Sequence, residues 1–212
     1  ARHLDQGSLS PSQHDPEPAA WTTVLAEQVG EGRVAGLGWA LQPNTGALVG
    51  LKDLRGYDLP VPHRWELLAR RLDGRLARPW YPIAEATPAA LNLMRFAGVR
   101  HILSEAPVGR LSAVDVGLAP LGVYALSPDA TRAWLTAVTT EAPTTEAALD
   151  QVARDPIARQ RPPVEGLTAL RGTPGVTPLA LTHDQPELVG MKVEVTEPSL
   201  VVLADTWDPH WR

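Results

Sequence analysis

The chain has 212 residues, of which 44% are hydrophobic and 20% are charged, so it can bury a core and belongs to the globular class. Its formal net charge of −5 argues against nucleic acid as a partner, because phosphate binding requires a concentrated basic surface. The absence of cysteine excludes disulfides, thiolate catalysis and cysteine-based zinc sites.

The first part of the chain predicts alternating helices and strands. Residues 1–18 are polar and rich in proline, which predicts a poorly ordered lead-in. Apolar spacing and the glycine and proline signals then predict helices at 19–29, 61–73 and 88–97 and strands at 33–38, 99–103 and 122–126. This alternation is typical of an α/β part, which we expect over residues 19–127.

After the turn signal at 127–131 the pattern predicts a β-rich part over residues 128–212. The expected elements are a strand at 132–138, a helix at 144–153, an irregular connection at 155–175 and strands at 177–182, 188–195 and 200–204. The turn residues at 196–199 predict a hairpin between the last two strands. The predicted fold class is therefore α/β (α+β), with an N-terminal α/β part followed by a β-rich C-terminal part. The two parts form either separate units or one continuous domain.

Both ends of the chain predict a piece truncated from a longer protein. The sequence begins at Ala1 without a signal-peptide pattern, and it stops at Arg212 shortly after an apolar strand. The chain contains no run of ~18 apolar residues, so no segment of it is expected to span a bilayer.

The most distinctive segment is residues 43–58, which combines three glycines with polar and charged side chains. A stiff, glycine-punctuated loop that carries polar groups is typical of a binding surface, although an internally hydrogen-bonded loop fits the residues equally well. As a binding surface, the segment would present Asn44, Asp53, Arg55, Tyr57 and Asp58. Arg55 suits a phosphate, because a guanidinium binds bidentately.

A row of arginines accompanies the second predicted helix. It consists of Arg64, Arg71, Arg75 and Arg78. The row predicts a solvated face or, alternatively, a surface that faces lipid phosphate. Arg64 is added to the candidate binding residues for that reason.

Other constellations do not indicate a cofactor, a metal site or a catalytic set. The glycines at 30, 32, 36 and 38 precede or lie within a strand, which predicts a helix stop and a tightly packed strand, not a dinucleotide loop. The six histidines lack metal-ligand spacing. Asp205, Asp208 and His210 cluster near the end of the chain, where a structural turn is favoured over an acid/base set.

Four segments resemble, in order, the motifs of YfhO-type bacterial membrane proteins. The first is 43–58, with the pattern Pro-Asn-x-x-x-Leu-x-Gly-Leu-x-Asp-x-Arg-Gly-Tyr-Asp, and the others are 91–104, 123–135 and 200–211. The resemblance extends from about Glu31 to Arg212. This chain departs from the family pattern at Thr131, where proline is usual, and at His210, where glycine is usual.

The resemblance implies an extracytoplasmic domain of a multi-spanning membrane protein related to GT-C glycosyltransferases, which use polyprenyl-phosphate sugars. Flanking membrane helices would lie outside this chain, and so would the loop that carries the catalytic carboxylate. The chain alone is therefore not expected to catalyse a reaction. It would recognise a lipid-linked sugar or a cell-envelope glycan, or give structural support. The alternative is a non-enzymatic carbohydrate- or envelope-binding module that uses Trp207 and Trp211 as stacking platforms.

Overall fold

The computed structural model describes residues 20–30, 32–41, 46, 50–55, 63–73, 83–109, 111–115, 121–185 and 188–205. The predicted lead-in at 1–18 lies outside these ranges. The described residues form a mixture of helices and sheets with a β-rich C-terminal part, which confirms the predicted α+β class.

The N-terminal part contains three helices and five strands among the described residues. In chain order they are α1 (Ala20–Val29), β1 (Arg33–Gly36), β2 (Lys52–Asp53), α2 (His63–Leu72), α3 (Pro88–Phe96), β3 (Val99–Ser104), β4 (Ser112–Val114) and β5 (Gly122–Ala125). The strands form one sheet in the order β2-β1-β3-β5-β4. β2, β1 and β3 run parallel, whereas β5 is antiparallel to both β3 and β4.

Helix α3 begins and ends at the signals present in the sequence. Thr87 adopts an extended backbone conformation, and its hydroxyl accepts a hydrogen bond of 3.2 Å from the amide of Ala90. Pro88 occupies the first turn, where its missing N–H costs nothing. Gly98 follows the helix with a φ of +79°, and a side chain there would meet the carbonyl of Thr131.

The sheet buries both of its faces. Val34 and Leu103 belong to one apolar cluster, which includes residues of α1, whereas their neighbours Ala35 and Ile102 belong to a second cluster, which includes residues of α2 and α3. Successive residues of a strand point to opposite faces, so the two clusters lie on opposite sides of the sheet. Parallel strands covered on both faces are characteristic of α/β layers.

The C-terminal part contains one helix and seven strands among the described residues. In chain order they are β6 (Ala133–Thr136), β7 (Thr140–Ala142), α4 (Thr145–Arg154), β8 (Pro163–Glu165), β9 (Thr177–Leu179), β10 (Leu181–Gln185), β11 (Leu188–Met191) and β12 (Leu200–Leu203). They form a three-stranded sheet in the order β12-β6-β9, a parallel pair β7-β8 and an antiparallel pair β10-β11.

Two predictions for this part were wrong. The strand expected at 177–182 is two strands, β9 and β10, that belong to different sheets. The hairpin expected around 196–199 does not form, since β11 pairs with β10 and β12 pairs with β6. Turn residues mark where the chain bends, but they do not determine which strands pair across the bend. The connection at 155–175 also contains the short strand β8.

The apolar core continues across the two parts. Val152 of α4 and Ala158 belong to the same buried cluster as Leu93 and Met94 of α3. The fully buried Trp134 of β6 meets Phe96 of α3 edge to face, with 5.4 Å between ring centroids.

Candidate functional site

Asp53 and Arg55, both predicted as ligand-facing, form an ion pair in the interior. Nη2 of Arg55 donates a hydrogen bond of 2.9 Å to one oxygen of Asp53, and Nε donates one of 3.2 Å to the other. The amide of Arg55 donates to the same carboxylate at 2.9 Å, and Nη2 also donates to the carbonyl of Leu41. Arg55 is only 2% exposed. Burial raises the pKa of the Asp53 carboxyl, and the hydrogen bonds from Arg55 offset only part of that effect.

This geometry favours the internally hydrogen-bonded interpretation of the segment over the ligand-facing one for these two residues. A guanidinium already engaged by a carboxylate and a carbonyl has little capacity left for a phosphate, although its Nη1 lacks a hydrogen-bond partner. Asn44, Tyr57 and Asp58 lie outside the described residues. The ligand-facing role of these three residues therefore stays a prediction.

Arg64 lies on α2 with a side chain that is 56% exposed, 3.6 Å from a carboxylate oxygen of Glu165 in β8. Together with Asp53 it lines a groove of about 450 Å³ between α2, α3, α4 and the end of β12. The walls of this groove are mostly apolar and include Trp65, Leu149 and Val202. The structure therefore brings Asp53 and Arg64 to one groove.

The arginine row of α2 is partly engaged with the protein itself. Nε of Arg71 donates a hydrogen bond of 2.7 Å to Asp150 of α4, and its Nη2 donates to the carbonyl of Glu146. This pair links two helices, so Arg71 does not belong to a freely solvated face. Arg75 and Arg78 lie outside the described residues.

A network of ion pairs connects the two parts of the chain. Asp205 accepts hydrogen bonds from Arg33 of β1 and from Arg132, which precedes β6. Asp184 of β10 accepts hydrogen bonds from Arg132 and also from Lys52, which lies in β2. Such a network holds strands in fixed positions relative to one another, which is a structural role. Asp205 thus has a structural role in this network, whereas the predicted turn, with Asp208 and His210, lies outside the described residues.

The network also sets the charge state of its carboxylates. Burial alone would raise the pKa of Asp205, but the hydrogen bonds and positive charges of Arg132 and Arg33 hold it below the ordinary value. The hydrogen bond from Lys52, followed by that from Arg132, lowers the pKa of Asp184.

A second cavity lies where the parallel strands β1 and β3 end. The amide of Leu37 donates to the carbonyl of Leu103 at 2.8 Å, and the amide of Gly38 donates to the carbonyl of Ile83 at 2.9 Å. Beyond these bonds the chain segments 37–39, 84–86 and 104–109 enclose a cleft of about 370 Å³. Open α/β sheets bind ligands in crevices at the carboxyl ends of their strands.

Trp39 is the most unusual residue of this carboxyl-edge cleft. Gly38 turns the chain with a φ of +56°, and the Trp39 side chain that follows is 66% exposed. Trp is highly buried on average, and this mostly exposed indole is accessible to a ligand in the cleft. The cleft is also lined by the acids Glu85 and Glu105 and by Ser104, whose hydroxyl accepts a hydrogen bond from the amide of Ala106 at 3.2 Å.

None of these cleft residues was among the sequence-based candidates. The signal that could have found Trp39 is a glycine followed by Trp directly after a buried strand. Its significance depends on β1 and β3 being parallel neighbours. That pairing joins segments about 65 residues apart and is not visible in the local sequence.

Within the described ranges, no three His, Asp or Glu side chains lie close enough together to hold a metal ion. The buried His101 of β3 has no hydrogen-bond partner at Nδ1, and burial lowers its pKa. A neutral imidazole in the core is consistent with a packing role.

Among the described helices, none has the length and apolar character needed to cross a bilayer. No family model, curated protein or solved structure matches this chain.

Proposed function

We propose that this chain is a glycan-recognition domain that binds a sugar residue in the carboxyl-edge cleft. The observation that carries this proposal is the exposed indole of Trp39 at a cleft formed where β1 and β3 end. The volume of the cleft falls within the range of small-molecule sites, which begins at roughly 300 Å³.

The chemistry of the cleft suits a sugar. An indole offers a broad apolar face to the C–H face of a pyranose ring. Carboxylates accept hydrogen bonds from hydroxyl groups, and such charge-assisted bonds are stronger than neutral ones. Trp39 would therefore supply the stacking surface, and Glu105 would orient the ring through its hydroxyls.

The parent protein in this proposal is a multi-spanning membrane protein of the YfhO type, and the domain lies on the extracytoplasmic side. The support for this is the resemblance of the four ordered segments. The domain would hold a lipid-linked sugar or a cell-envelope glycan, while any transfer chemistry occurs elsewhere in the parent. A domain that recognises envelope glycan in a parent without transferase activity is the alternative.

A structural-support role is the second candidate, and the ion pair of Asp53 and Arg55 favours it. The most distinctive segment of the sequence directs these two side chains into the protein. That arrangement stabilises a scaffold and does not require a ligand. Glycan recognition predicts that the isolated chain binds a soluble sugar, whereas structural support predicts that it does not.

Binding of glycans to the isolated chain tests the proposal. We expect a glycan array, followed by NMR titration of the hits, to detect binding with a Kd in the millimolar range or below, and Trp39→Ala to remove it. Ile157→Ala, which changes another exposed apolar residue, is the matched control and should leave binding unchanged. A folded chain that binds no glycan at millimolar concentration, or a Trp39→Ala variant that binds normally, would contradict the proposal.

A further inference from the structure

The charged residues among the described lining of the carboxyl-edge cleft are both acids. Glu85 lies just before α3, and Glu105 lies on the turn that directly follows β3. Glu105 is exposed, so its carboxylate is accessible to a ligand. The cleft is defined by its shape and by Trp39, and the exposed carboxylate of Glu105 adds a negative charge to it.

We infer that the carboxyl-edge cleft selects a sugar that carries a free ammonium group, such as a hexosamine without its N-acetyl group. This inference rests on the proposed glycan recognition and names the class of sugar. An ammonium is attracted both by carboxylates and by the face of an indole. Trp39 and Glu105 supply these two attractions in one cleft.

The same negative charge disfavours other envelope sugars. A uronic acid or a phosphorylated sugar would bring a negative charge next to Glu105, and like charges repel. An N-acetylated hexosamine has a similar ring but no charge, so it would keep the stacking and lose the electrostatic contribution. The carrier phosphate of a lipid-linked sugar would accordingly lie outside this cleft.

The preference for the ammonium sugar should be small, because Glu105 is exposed to water. An exposed ion pair and an exposed cation–π contact are each weak, because water screens both. We expect a tetramer of glucosamine to bind about fivefold more tightly than a tetramer of N-acetylglucosamine at low ionic strength. The difference should shrink in high salt, because salt screens exposed charges.

The experiment measures the Kd of three probes by NMR titration at about pH 6, where free carboxyls are ionised and a hexosamine amine is protonated. The probes are the glucosamine tetramer, the N-acetylglucosamine tetramer and a tetramer of galacturonate. We expect them to bind in that order of decreasing affinity. Glu105→Gln should bring the first two probes to similar Kd values, and Glu27→Gln, an exposed change on α1, should preserve the difference.

The outcomes separate this inference from the proposed function. Equal binding of the first two probes, or an unchanged preference in Glu105→Gln, would overturn the ammonium preference and leave glycan recognition standing. Absence of binding by every glycan tested would overturn glycan recognition itself. Since Glu105 is exposed, Glu105→Gln should fold normally, and an unchanged amide spectrum away from the cleft verifies this.

Discussion

Asp205 accepts a hydrogen bond of 2.5 Å from Arg33, although 172 residues separate them in the sequence. The same carboxylate accepts bonds of 2.7 and 2.9 Å from Nε of Arg132. One acid just beyond the last described strand therefore joins β1 of the first sheet to the chain that enters β6. The positions of the two parts depend on this contact as well as on their shared apolar core.

The pH dependence of stability should reveal the contribution of Asp205. Its pKa is lower in the folded protein than in the unfolded chain, where it is about 3.9. The stabilisation that ionised Asp205 contributes is therefore complete above its pKa in the unfolded chain. It is lost as the pH falls through its pKa in the folded protein. We expect the difference in unfolding free energy between the native protein and Asp205→Asn to shrink between about pH 5 and pH 2.

Chemical denaturation of both proteins across that range provides the measurement. Glu194→Gln serves as the control, since the Glu194 side chain is 82% exposed and pairs with an equally exposed Lys192. A constant difference between native protein and Asp205→Asn would show that the network does not hold Asp205 ionised.

Arg55→Ala should destabilise the protein by about 3 kcal/mol or more, because it leaves the Asp53 carboxylate buried without its cation. The double change of Asp53 and Arg55 to alanine should cost less than the sum of the two single changes. Arg64→Ala, at an exposed position on α2, should change stability by less than about 0.5 kcal/mol. Thermal unfolding measures the stability of the two single variants, the double variant and Arg64→Ala. A normal melting temperature for Arg55→Ala would argue for a ligand-facing role of Arg55.

Replacement of Trp134 should cost much more stability than replacement of Trp39. Trp134→Ala removes a fully buried ring that contacts Phe96, donates to the carbonyl of Arg159 at 3.0 Å and lies 3.9 Å from the Arg159 guanidinium. Its cost should be about 3–5 kcal/mol. Trp39→Ala removes a mostly exposed ring and should leave stability within about 0.5 kcal/mol. Denaturation followed by circular dichroism compares them, and similar losses would contradict the assignment of Trp39 to a binding surface.

The β10-β11 hairpin should be sensitive to salt. Asp184 connects it to Lys52 and to Arg132, and the Asp184 side chain is 34% exposed. Because salt screens partly exposed ion pairs, hydrogen exchange in residues 181–191 should accelerate at high ionic strength, while exchange in β6 stays slow. Asp184→Asn should produce the same acceleration at low salt. Unchanged exchange in both cases would mean that packing, not charge, holds the hairpin.

The sequence by itself determined several of the local elements of this protein. Thr87 and Gly98 bound α3 and Thr144 begins α4, because each cap acts on backbone groups only a few residues away. The buried strands β1 and β3 were likewise predictable from short apolar runs. The order of helices and strands was sufficient for the α+β class.

Only the tertiary structure decided which distant groups meet. It pairs β12 with β6, joins Arg33 to Asp205, and brings Gly38 and Trp39 beside the end of β3. These outcomes depend on strand register and on the burial of charges, which involve residues tens of positions apart. Local propensity carries no information about such partners, so the candidate cleft became visible only when the parallel sheet was in place.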